Sequence, residues 1–115
     1  MNLLEKLSTE EKDAMRKETQ DILEGIHKSF TENATFHTVF QITSTMLHHK
    51  CITYQIKINI LETSDCTVYK ADQLFEIVWK SDIRVMLIFL NEVKELMPHV
   101  FENIDEKYSN IFKIV

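Results

Sequence analysis

A chain of 115 residues with 44% hydrophobic and 27% charged side chains has room for one domain, spanning 1–115, with one core, and its composition excludes intrinsic disorder and a disulfide scaffold. The net charge of −5 is spread over interleaved acidic and basic residues, so there is no basic stripe to neutralise a phosphate backbone, and nucleic acid is not an expected partner. With Gly25 as the only glycine, the Walker loop, the Gly-rich dinucleotide turn and the hydrolase nucleophile elbow are all excluded, because each needs glycine for positive φ or for close backbone approach.

The N-terminal stretch "MNLLEKLSTEEKD" reaches Glu5 and Lys6 after two leucines and lacks the apolar core of a secretory signal, so export is not expected. Ser8 and Glu11 have the spacing of a capping box and open a predicted helix that runs to Phe30. Along it Met15, Ile22, Ile26 and Phe30 recur at helical spacing, with Thr19 in the missing step and Leu4 and Leu7 extending the row backwards. This stripe is narrow, as expected of a seam between helices, and a helix of about 35 Å should overhang a small domain. Gly25 interrupts the helix at a cost of up to about 1 kcal/mol, with no reason visible in the sequence.

Residues 36 to 47 fit a helical face through Phe36, Val39, Phe40, Thr43, Met46 and Leu47, against several β-favouring residue types. From 51 onward Ile52, Tyr54, Ile56, Ile58 and Ile60 alternate with polar residues, the period of a half-buried strand. "ETSD" at 62 to 65 has turn composition and "CTVYK" follows, which predicts a β-hairpin over 51–70. "QLFEIVWK" and "IRVMLIFL", separated by Ser81 and Asp82, are read as further strands, giving a sheet of three or four. "NEVKELM" and the segment after Pro98, through Val100, Phe101, Ile104, Tyr108 and Ile111, read as a helix with a restart at the proline. The longest apolar run is far short of the roughly 20 residues that span a bilayer, so no membrane association is expected. The predicted fold is α+β: a small antiparallel sheet packed with N-terminal and C-terminal helices.

The reactive side chains gather in "HHKC" at 48 to 51. On a strand, His49 and Cys51 would share one face, and His37 or His99 would have to complete a metal site; the hairpin sets Cys66 roughly 33 Å from Cys51. The plainer reading places His48 beside the last carbonyls of a helix, with Cys51 as a small half-buried residue. A nucleophile pair of Cys51 with His49 or His37 lacks supporting context. The carboxylate pairs Glu10–Glu11, Glu92–Glu95 and Asp105–Glu106 read as solvated helix surface. Trp79, Tyr69 and Phe75 are candidates for a ligand pocket, against the commoner use of large aromatics as core.

One glycine, one proline and two arginines against thirteen isoleucines and eleven lysines point to an A/T-rich genome, such as that of a virus, phage or low-GC bacterium. Cys51 and Cys66 are expected to be reduced, in a cytoplasmic protein. The functional expectation is a non-enzymatic protein-interaction module, an adaptor, chaperone or inhibitor with a regulatory role and no cofactor. It would self-associate as a homodimer or dock a protein partner through Met15, Ile22, Ile26 and Phe30. The alternative is a small-ligand or metal-binding domain using His37, His49 and Cys51.

Overall fold

The computed structural model describes residues 6–102 and 104, and among them every regular element is helical. In chain order these are α1 (Thr9–Asn33), α2 (Phe36–His48), α3 (Tyr54–Glu62), α4 (Thr67–Trp79) and α5 (Ile83–Leu96), then a 3-10 turn over Pro98–Phe101. The expected α+β fold is therefore overturned. Residues of the predicted hairpin form α3 and the start of α4, and the two further predicted strands form the rest of α4 and most of α5. Tyr108, Ile111, Leu4 and the Asp105–Glu106 pair lie outside the described residues.

Local chemistry explains where the helices begin. The Ser8 hydroxyl accepts from the Glu11 amide at 3.1 Å while the Glu11 carboxylate accepts from the Ser8 amide at 3.2 Å, completing the predicted capping box. Those two bonds hold the Glu11 carboxyl below its ordinary range. Thr35, Thr53 and Asp82 each cap the amide three residues on, opening α2, α3 and α5. Asp82, expected to separate a pair of strands, instead starts a helix. Pro98 occupies the first turn of the 3-10 segment, where its missing N–H costs nothing.

α5 is the central element: it packs on α1, α2, α4 and the 3-10 turn, and buries Val85, Met86, Leu87, Phe89, Leu90 and Val93. Each such side chain contributes about 1.5–3 kcal/mol by leaving water. Phe89 meets Phe30 of α1 edge-on at 5.2 Å and Phe75 of α4 at 6.0 Å, so three helices share one aromatic cluster. α1 lies along α4 and α5, and its buried row is wider than the predicted stripe because Leu23 and Thr31 join it. Thr19, Thr31 and Thr43 are buried with their hydroxyls donating to the carbonyl four residues back, which satisfies them inside the core. At 25 residues α1 is about 37 Å long, and its burial begins at Met15, so the first turns, Thr9 to Ala14, stand clear of the core.

Gly25 also acquires a reason. A Cβ there would lie 3.0 Å from Cδ1 of Ile104, so the missing side chain lets the segment after the 3-10 turn close onto α1. α3 is peripheral, touching α2 and α4, with Ile60 as its single fully buried residue.

Candidate functional site

The "HHKC" stretch is a helix end. Lys50 adopts φ 61°, its amide donates to Leu47 and the Cys51 amide donates to Met46, the Schellman arrangement that closes α2 with a lysine where glycine is usual. Arg84 of α5 donates to the His49 carbonyl at 2.8 Å, tying this end to the start of the central helix. Burial pushes the Cys51 thiol up, against the weaker pull of the Arg84 guanidinium. His37 sits in the first turn of α2 and His49 at its far end, about 18 Å away, so His37, His49 and Cys51 do not converge on a metal. Among the described residues no group of three or more His, Cys, Asp or Glu side chains could hold an ion. His48 stands in the last turn of α2 and Cys51 is half-buried, as the plainer reading expected.

Met15, Ile22, Ile26 and Phe30, the expected interaction surface, are all buried in the chain's own core. Their helix partners within the chain are α4, α5 and the 3-10 turn. The expected stripe was narrower than the buried row because it left out Leu23 and the polar Thr31.

Two hollows lie on the seam between α1 and α4. One, about 420 Å³, is lined by Glu24 and His27 of α1 and by Asp72, Phe75, Glu76 and Trp79 of α4. The other, about 410 Å³, shares His27 and Asp72 and adds Lys28, Thr31, Cys66, Val68 and Tyr69. The pair between them is a His27 Nε2 to Asp72 Oδ1 contact of 2.8 Å, with the imidazole stacked 4.2 Å from the Phe75 ring. Tyr69, Phe75 and Trp79 thus do line hollows, although Phe75 is mainly core. An imidazole held by a carboxylate is half of a nucleophile-activating set. Cys66 shares the second hollow, but its thiol makes no hydrogen bond to His27, so no activated nucleophile is assembled.

The third feature is on the other side of α4. Phe36 and Phe40, one turn apart on α2, are 48% and 41% exposed with their rings 6.3 Å apart. The Lys57 ammonium of α3 lies 4.5 Å from the Phe40 ring, and the Lys70 ammonium of α4 lies 4.7 Å from the Phe36 ring. Three helices therefore build one row, Lys57–Phe40–Phe36–Lys70, of two rings flanked by cations. Val68 and Tyr69, also exposed, precede Lys70 on α4. The predicted helical face of α2 put both phenylalanines with the core; Val39, Ile42, Thr43 and Met46 are its buried row instead. The signal in the sequence was the second row at i, i+4, Phe36 and Phe40, offset from the first.

Comparison with known proteins finds no matching family model, curated protein or solved structure. No helix among the described residues is long and apolar enough to cross a membrane.

Proposed function

We propose that this protein is a non-enzymatic interaction module, of the adaptor, chaperone or inhibitor kind, that docks a partner protein on the Lys57–Phe40–Phe36–Lys70 row. The observation that supports this reading is the exposure of two adjacent phenylalanine rings on α2. Large aromatics with little side-chain freedom are the usual anchors of protein interfaces, and a contiguous apolar patch marks a contact surface where a single exposed side chain does not. The lysines at both ends give the patch a local positive character on a chain of net charge −5, which selects a partner segment that is apolar and acidic. The free cysteines are in keeping with a cytoplasmic setting, and a viral or phage origin rests on residue usage alone.

The test is paired capture from the native cell, using wild type, the double variant Phe36→Ser/Phe40→Ser, and Leu96→Ser as an exposed apolar control at the end of α5. The reading expects one protein that is retained by wild type and the control, lost by the double variant, and bound directly once purified. Equal capture by all three sinks it. If sedimentation shows a wild-type dimer that the double variant turns to monomer, the occupant is a second copy.

A further inference from the structure

We infer that the hollow beside Trp79, between α1 and α4, is a binding site for a planar organic cation, an amidinium or guanidinium; it is separate from the phenylalanine row and does not depend on the docking reading. At about 420 Å³ the hollow has the size of a small-molecule site, and it is built as such sites are, from ring surface with a few polar groups set around it. Phe75, only 5% exposed, and the half-buried Trp79 supply that surface, with the His27 imidazole beside them. The three rings lie nearly parallel: His27 is turned 21° from Phe75, and Phe75 20° from Trp79. Every other lining side chain is a carboxylate, Glu24 of α1 with Asp72 and Glu76 of α4.

No lysine or arginine lines this hollow, so an anion would find only a histidine that Asp72 already engages. Asp72 pairs with His27 and Glu76 with Lys80, each at 2.8 Å, whereas Glu24 makes no hydrogen bond or ion pair among the described residues. Glu24 is therefore the carboxylate that a bound cation meets, with the other two adding to the negative potential of the cleft. A bare metal ion does not fit, because among the described residues no three His, Cys, Asp or Glu side chains converge to hold one. A cation whose charge is spread over a flat group needs no such convergence: it stacks on a ring face and directs its N–H groups outward to separate carboxylates. The neighbouring hollow shows the contrast. It too has a ring, Tyr69, but its charged lining is Lys28 and the His27–Asp72 pair, so it offers no free carboxylate. The cation belongs on the Trp79 side.

Trp79 is the chain's only tryptophan, so its fluorescence and its indole N–H resonance both report on this hollow. Benzamidine is expected to bind the full chain saturably, with a Kd of about 1 mM or tighter, and to move both signals; neutral benzamide, of nearly the same shape, should bind about tenfold more weakly. Glu24→Gln, at an exposed position, should keep the wild-type melting temperature and weaken benzamidine about threefold or more. Glu18→Gln, equally exposed on α1 but outside the hollow, removes the same charge and should leave binding unchanged. Equal binding of benzamidine and benzamide overturns the inference, since a site blind to charge is only an apolar recess. So does an equal effect of the two variants, which would reduce the attraction to net charge, or a titration without saturation by about 10 mM. A blocked arginine tripeptide then assigns the source, both results keeping the cation site: displacement of benzamidine places an arginine side chain of a partner protein in the hollow, and failure to displace it places a free small molecule there.

Discussion

α3 and α5 were both expected to be strands and both are helices, but they occupy opposite situations. α5 buries six apolar side chains and packs on four other elements; α3 fully buries Ile60 and leans on two. In α5 the apolar run covers the whole circumference, as suits a helix enclosed by others. In α3 the alternation resolves into two rows of i, i+4 spacing. Ile56 and Ile60, with Ile52 just before the helix, turn toward the core, whereas Tyr54 and Ile58 fall on the far side, with Tyr54 66% exposed. The difference teaches that an alternating pattern does not distinguish a half-buried strand from a short helix that needs only every fourth residue. It also makes α3, which carries Lys57 of the Lys57–Phe40–Phe36–Lys70 row, the weakly held end of that row.

The largest effect that probes this contrast is Phe89→Ala in α5, which removes the ring shared by three helices. It should cost about 3–5 kcal/mol and lower the melting temperature by more than about 10 °C. Ile60→Ala should cost about 2 kcal/mol, at the low end for such a change, because α3 can relax toward solvent. A greater loss at Ile60 than at Phe89, measured by denaturant unfolding, would break the comparison. Amide exchange sharpens it: α3 should open at lower free energy than α5, and equal protection would mean that the two unfold as one unit.

Lys50→Gly is a smaller test, placed where α2 hands over to α3. Glycine accepts the left-handed φ of 61° without a Cβ penalty, so the substitution should stabilise by up to about 1 kcal/mol, read from the denaturation midpoint. Gly25→Ala should change stability by only a few tenths of a kcal/mol, because the gain in helix propensity is offset by the push on the Ile104 methyl. Last comes a pH dependence at the start of α1. The Glu11 carboxyl titrates lower in the folded chain than in the unfolded one, so its contribution is present above the ordinary carboxylate range and is lost as pH falls through the folded value. Glu11→Gln should therefore lower the melting temperature at neutral pH, with the gap to wild type closing in acid.

By itself the sequence determined what depends on near neighbours. The capping box at Ser8 and Glu11, the helix behind it, the restart at Pro98 and the helix end at His48 all follow from contacts within a few residues, and all are present. The other starting signals were legible too: Thr35, Thr53 and Asp82 each stand at the cap of a helix, and a chain with one glycine has little with which to build hairpin turns. They were outweighed by the isoleucine alternation and the run at 83 to 90, whose hydrophobic periods are compatible with either secondary structure. Only the tertiary structure decided between them, because the choice depends on which faces find a neighbour, and that is settled by α1, α2 and α4 closing around α5. The same holds for the candidate site. Met15, Ile22, Ile26 and Phe30 form as apolar a row as any exposed seam, and their burial follows from α4 and α5 lying against them. The Lys57–Phe40–Phe36–Lys70 row joins residues up to thirty-four positions apart, so it exists only where three helices bring them side by side.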